Sequence, residues 1–177
     1  CSLNPQEDRL AFSCLCELDK QGNITDYKFA KTVIRSRVKG VYSEINSLLA
    51  GSDDAELKEK YADVSGQLPI IKELADILYK NKKNRGCPEL ETSESKLIIN
   101  DEDICVGVER RTRGRSEEII EDFMLVANEC AARFGMDNNL PFVYRIHEEP
   151  SDEKLESLRE ALVKLNVQYK LGEKACP

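Results

Sequence analysis

Two hydrophobic periods alternate along the chain. Residues 9–19 (RLAFSCLCELD) place Leu10, Phe12, Cys14 and Cys16 at every second position. Residues 24–34 (ITDYKFAKTVI) set Tyr27 and Phe29 opposite Lys28 and Ala30. A period of two gives a strand one apolar face, and Gln21-Gly22-Asn23 between the runs is a turn, so the pair predicts a β-hairpin. The period then changes. Val38, Val41, Tyr42, Ile45, Leu48 and Leu49 recur at helical spacing and stop at Gly51, a residue suited to the left-handed position past a helix end. Ser52-Asp53-Asp54 offers N-cap oxygens for the next helix. Over 64–84, Leu68, Ile71, Leu74, Ala75 and Leu78 form a second helical stripe. Lys80, Lys82, Lys83 and Arg85 crowd its end, where the helix dipole favours cations, and Gly86 and Pro88 close it.

The second half repeats the alternation. Residues 95–100 (SKLIIN) and 104–110 (ICVGVER) predict two strands joined by the acidic turn Asp101-Glu102-Asp103. A long helix follows over 116–135, with Ser116 as N-cap, Glu117 and Glu118 in its first turn, and Gly135 as the residue that ends it. Residues 141–147 (PFVYRIH) predict a short strand. Residues 151–166 predict a last helix with Leu155, Leu158, Leu162 and Leu165 as its core stripe. The order is β-β-α-α-β-β-α-β-α: an α+β fold of antiparallel hairpins with helices packed on them. No internal repeat or low-complexity linker divides residues 1–177.

The helix over 116–135 carries the candidate chemistry. Ile120, Phe123, Met124, Ala127, Ala131 and Phe134 make one broad apolar face. Glu121, Met124, Leu125 and Asn128 share a stripe at that face's border. This predicts Asn128 as a buried structural amide, hydrogen-bonded to a neighbouring loop or strand. Glu121 lies one turn in, at the rim. The run RRTRGR at 110–115 immediately precedes it, and a helix N-terminus beside four guanidiniums attracts anions. From the residues alone the stretch is an anion-attracting helix entrance with one carboxylate aimed toward the apolar side.

Composition narrows the classes. At 41% hydrophobic and 33% charged residues the chain has a soluble globular make-up. Its apolar runs are too short to span a bilayer, which predicts no membrane association. Residues 1–20 lack the pattern of a secretory signal. The chain opens Cys1-Ser2-Leu3 without an initiator Met, and is expected to be a piece of a longer protein. Seven cysteines, an odd number in a chain without that signal, point to reduced thiols in the cytoplasm. His147 is the only histidine and no C-x-x-C pair occurs, so a zinc site or a Cys–His nucleophile is poorly supplied. The net charge of −7 argues against nucleic acid, but its distribution does not. Residues 9–42 carry seven Lys/Arg against three acids, and 110–115 carry four Arg and no acid. The acids gather at 44–76 and 148–160. Basic stripes of this kind are compatible with a phosphate track.

Four stretches together resemble the catalytic domain of the ribonuclease II / ribonuclease R family of exoribonucleases. CSLNPQEDRLAFSC at 1–14 is similar to the family's CSL-NP-x-x-DRL entry, and IRSRVKGVYSEI at 34–45 to I-x-S-x-x-R-x-TY-x-x-V. RGCPELETSESKLIIN at 85–100 resembles RG-x-x-x-F-x-x-x-E-x-K, and RGRSEEIIEDFMLVANECAARF at 113–134 resembles R-x-x-A-x-x-LIEE-x-M-x-LAN-x-x-AA. YRIHEEPS at 144–151 is a weaker fifth match. The resemblance implies processive hydrolysis of single-stranded RNA from its 3′ end to nucleoside 5′-monophosphates, with Mg2+ in the whole enzyme. In the family the metal-binding aspartates lie upstream of the CSL strand, and an essential arginine lies downstream of the last helix found here. Asp53-Asp54 and Asp101-Glu102-Asp103 do not match that cluster. Residues 1–177 are therefore expected to be the central segment of the domain, with no catalytic or metal-binding residue, no bound cofactor and no activity alone. What the resemblance assigns to this chain is the grip on the RNA end. Tyr42 matches the tyrosine that stacks on the terminal nucleobase. Glu121 matches the carboxylate that closes its other side and contacts the sugar, with adjacent Asp122 as the alternative. Arg113 is expected near phosphate or paired with Glu94. Lys39 stands where the family usually has Arg, Val41 where it has Thr, and Leu90 where it has Phe. No obligate protein partner is implied. The rival reading is a non-catalytic RNA-binding or assembly module that retains the fold.

Overall fold

A computed structural model describes residues 2–87, 94–111, 113–146 and 148–167, with backbone alone at Glu94 and Arg111. Expectations that fall on Cys1, Leu90, His147 and Cys176 lie outside these residues. Strands β1 (Asp8–Leu18) and β2 (Ile24–Arg35) form the first antiparallel hairpin, pairing Cys14 with Phe29 and Cys16 with Tyr27. Asp19 shapes its turn by accepting the N–H groups of Gln21 and Asn23 at 2.9 and 2.8 Å. Gly22 takes φ +82°, and a Cβ there would come within 3.2 Å of Ile77. Only glycine gives both the backbone conformation and the close approach.

Four helices follow: α1 (Tyr42–Leu49), α2 (Ala55–Lys60), α3 (Ala62–Ser65) and α4 (Leu68–Asn84). Gly51 ends α1 with φ +86°, and Asp54 caps α2 by accepting Glu56 and Leu57 N–H groups. The helical spacing of Val38 and Val41 does not make a helix: α1 starts only at Tyr42, after an extended stretch that contains Gly40. The stripe on α4 holds, with Ala75 and Leu78 buried. Strands β3 (Glu94–Ile99) and β4 (Cys105–Arg111) form the second hairpin, then come α5 (Arg115–Asp137) and α6 (Asp152–Lys164). The architecture is α+β, two separate two-stranded hairpins with α5 packed against the first.

Further expectations change. The segment 141–146 is not a strand; Val143 and Ile146 are exposed, and the segment forms no ladder with a described strand. Gly135 does not end α5, which runs on to Asp137 with Asn138 as C-cap. A Cβ at Gly135 would lie 2.7 Å from the Tyr144 hydroxyl and 3.0 Å from the Phe142 ring, so its role is to admit the returning loop. On α5 the inward stripe is Ser116, Ile119, Asp122 and Cys130, one position round from the apolar face; Ile120, Met124 and Asn128 are exposed. The rotation follows from polar pairing, because Ser116 and Asp122 find partners on α1 and α4. Asn128 is therefore not a buried amide. The leucine stripe of α6 is also only half covered, with Leu158 and Leu165 exposed.

The described core lies where the first hairpin, α4 and α5 meet. The Cys16 and Cys130 sulfurs are 3.7 Å apart, Phe29 packs edge-on against Phe134 with centroids at 5.5 Å, and the Tyr27 hydroxyl donates to Asp137 at 2.9 Å. Burial pushes the Cys14, Cys16 and Cys130 thiols up, so they stay protonated at neutral pH as small apolar packing groups. Asn81 on α4 donates to the Gln21 carbonyl at 3.0 Å and holds the hairpin turn down.

Candidate functional site

Tyr42 opens α1, and its side chain is exposed at 46% relative accessibility. Its backbone is pinned from both sides. The Val41 N–H donates to the hydroxyl of fully buried Tyr61 at 3.1 Å, and the hydroxyl of Ser116 on α5 lies 3.1 Å from the Tyr42 carbonyl. Tyr61 in turn donates to Glu44, which also meets Lys60 at 2.6 Å. Lys39 is exposed in the loop before α1.

One helical turn beyond Tyr42, Asn46 reaches the entrance of α5. Its Oδ1 accepts the Ser116 N–H at 2.8 Å, and its Nδ2 donates to Glu117 Oε2 at 3.0 Å. The same carboxylate oxygen accepts the Gly114 N–H at 3.1 Å and lies 3.0 Å from the Ser116 hydroxyl. That hydroxyl has one proton, which serves either Tyr42 or Glu117. Burial alone would raise the Glu117 carboxyl, but hydrogen bonds from Asn46, its own backbone, Ser116 and Gly114 outweigh it and hold the pKa down. A Cβ on Gly114 would sit 2.1 Å from Asn46 Nδ2, so only glycine leaves room for this amide. The cap of α5 is thus shared between Asn46 of α1 and the helix's own Glu117, and the predicted N-cap Ser116 is instead inside the first turn. The helix entrance is not a fully open anion site, because the Gly114 and Ser116 N–H groups already serve Glu117 and Asn46.

The acidic pair of α5 divides. Asp122 is 3% exposed, and its Oδ1 lies 2.8 Å from Lys82 Nζ on α4. Its Oδ2 is buried without a partner among the described residues, and the side chain borders a cavity of about 30 Å3, room for one water. Glu121 keeps 44% of its side chain exposed, with Arg113 Nη1 at 3.3 Å and Lys82 Nζ at 3.8 Å. Burial alone would lower the Lys82 ammonium, but these two carboxylates outweigh it and raise its pKa. Glu121 lies five residues past Ser116, about 7.5 Å along the helix axis. Arg113 is exposed and meets Glu121; the side chain of Glu94, its other expected partner, is outside the described residues. Arg115 is structural, bound to Asp76 at 2.6 Å and Glu118 at 2.9 Å. The geometry thus joins the entrances of α1 and α5, with an exposed aromatic at one and an exposed carboxylate–guanidinium pair on the other.

Asn46, Tyr61 and Lys82 hold this arrangement and are not evident as site residues from the sequence. Each is an ordinary polar residue on a helix or at its edge, and its partners are at least 15 positions away. Among the described residues no group of three or more His, Cys, Asp or Glu side chains could hold a metal ion. Asp53 pairs with Lys58 and Asp54 caps α2. No helix among the described residues is long and apolar enough to cross a membrane.

Known proteins share this fold. The α+β fold is that of RNase R structures: the chain superposes on the apo form of Mycoplasma genitalium RNase R with a TM-score of 0.87 at 27% identity, covering 98% of this chain and 26% of that one. The same protein in complex with ribose methylated single-stranded RNA gives the same values. In sequence, Ribonuclease R 1 of Lactococcus lactis subsp. lactis is 38% identical over 156 residues, which cover 88% of this chain and 19% of that protein. Ribonuclease R of Escherichia coli K12 is 35% identical over 177 residues, covering 100% and 22%. The family model described as RNB domain matches residues 1–175. The chain belongs to the RNB domain family. It spans about a fifth to a quarter of the length of these relatives.

Proposed function

We propose that this chain is the central segment of a 3′→5′ exoribonuclease that degrades single-stranded RNA to nucleoside 5′-monophosphates, and that it supplies the grip on the 3′-terminal nucleotide. Tyr42 stacks on the terminal base, Glu121 closes the other side and contacts the sugar, and Arg113 and Lys39 meet phosphate. The observation that carries this reading is the direct link between the two helix entrances, Ser116 to the Tyr42 carbonyl, within a chain matched by the RNB domain model over residues 1–175. The different surroundings of the two acids support Glu121 over Asp122, because Asp122 is buried in its pair with Lys82. Stacking suits an enzyme indifferent to sequence, since every base offers a π-face. Mg2+ belongs to the whole enzyme, with its ligands in segments outside this chain. Without those segments the chain alone does not hydrolyse RNA.

In the full-length protein with Mg2+, Tyr42→Ala should weaken the hold on short RNA ends by about 1–3 kcal/mol and change the length of the final product. Glu121→Gln should act in the same direction. End products identical to wild type in both variants would overturn the grip. The rival reading, a non-catalytic module, wins if the full-length protein binds single-stranded RNA but leaves it intact with Mg2+ supplied.

A further inference from the structure

We propose that Asn46 and Ser116 are positioning residues that set the gap between Tyr42 and Glu121, and so the fit of the terminal nucleotide. The inference rests on the grip proposed above. Its ground is how α1 is held. This helix has eight residues, none buried, and no side-chain cap of its own. Apolar packing therefore does little to fix where Tyr42 stands. The Tyr42 phenol has no hydrogen-bond partner among the described residues, so the ring is placed by its backbone. That backbone is tied to α5 by Ser116 at 3.1 Å, and α1 is tied again one turn later by the two bonds of Asn46.

Hydrogen bonds suit this task better than apolar contact. They are directional and fail within a few tenths of an ångström, whereas apolar faces slide. Both ends of the Asn46 amide are used, one on a backbone N–H and one on a carboxylate, so the side chain has one satisfied orientation. Gly114 is part of the device: its missing Cβ is what lets the amide sit against the turn that leads into α5. From Ser116, rigid helix carries the placement on to Glu121. A shift of α1 by one ångström would change the gap between ring and carboxylate by a similar amount. Productive contacts in binding sites tolerate about half of that.

The test uses the full-length protein with Mg2+ and a single-stranded RNA oligonucleotide, reading KM, kcat and end-product length. Ser116→Ala removes one hydrogen bond, so KM should rise about three- to tenfold, with a changed end product and kcat on long RNA within about twofold. Asn46→Ala should do more. Ser116→Thr, which keeps the hydroxyl, should restore wild-type behaviour. In a Tyr42→Ala background, adding Ser116→Ala should move neither KM nor product length further, although the melting temperature still falls. An effect that adds in full to that of Tyr42→Ala would overturn the inference. So would wild-type KM and products in Ser116→Ala and Asn46→Ala while Tyr42→Ala changes both, and in that case the grip itself would stand. If Tyr42→Ala and Glu121→Gln change nothing, the grip falls and takes this inference with it.

Discussion

Replacing Lys82 with methionine removes a charge and little volume, and it strips a buried carboxylate of its partner. Asp122 is 3% exposed and has one cationic partner at hydrogen-bond distance, Lys82 at 2.8 Å. Its second oxygen has none among the described residues. Lys82→Met therefore leaves that carboxylate unpaired, which typically costs about 3–5 kcal/mol. Lys82 keeps 22% of its side chain open to solvent, so the loss should fall near the lower end, about 3 kcal/mol. The pair joins α4 to α5, and the loss should appear there. Hydrogen exchange of the full-length protein should show amides of 68–84 and 115–137 opening roughly a hundredfold more often, at 1.4 kcal/mol per decade. The control is Lys82→Met combined with Asp122→Leu. Removing both partners of a buried pair is often near neutral, so exchange should return to within about tenfold of wild type. Unchanged exchange in Lys82→Met would refute the pairing as a structural tie. An effect that persists in the double variant would shift the cause to Glu121, the other carboxylate near Lys82.

Other perturbations test neighbouring parts. Gly114→Ala drives a Cβ to 2.1 Å from Asn46, so α1 and α5 must separate; about 1–3 kcal/mol should be lost, read as faster exchange in 42–49. Gly22→Ala combines a φ of +82° with a 3.2 Å approach to Ile77, and should cost about 1–3 kcal/mol in the first hairpin with RNA affinity unchanged. Alkaline melting tests Lys82 again. A lysine whose folded pKa is raised stabilises fully below its unfolded value of 10.5 and loses that contribution as pH rises through the folded value. The Lys82→Met variant should therefore approach wild-type stability above pH 10.5, and a constant difference from pH 7 to 11 would refute the linkage.

Local chemistry was readable from the sequence, and relations between distant helices were not. The first hairpin, Gly51 after α1, Asp54 as cap and the α4 stripe all follow from spacing and turn residues within a short window. The resemblance motifs singled out Tyr42, Arg113 and Glu121 as candidates, and the structure leaves all three exposed or half-exposed. What spacing could not show is which face of α5 turns inward. Apolarity favours Ile120 and Met124, yet the buried stripe carries Ser116 and Asp122, because α1 and α4 bring partners to them. Gly135 and the segment 141–146 failed for the same reason. A glycine near a helix end suits a cap, and an apolar run suits a strand. Here the run folds back over the helix and the glycine makes room for it.

The surface explains why the α1–α5 junction depends so much on polar links. Apolar side chains are exposed in identifiable places. Leu10, Phe12 and Val33 are exposed on the first hairpin, and Leu97, Ile99, Ile104, Val106 and Val108 on the second. An isolated two-stranded hairpin is marginal in water, so covering these side chains would stabilise the second hairpin. The junction differs in kind. Asn46, Ser116, Glu117 and Gly114 satisfy one another, and Lys82 with Asp122 closes the next turn of α5. Bonds of this type hold their geometry without an apolar cover, since their partners all lie within the two helices and α4. The links that tie α1 to α5 are thus built into the chain itself, while apolar side chains of both hairpins stay exposed.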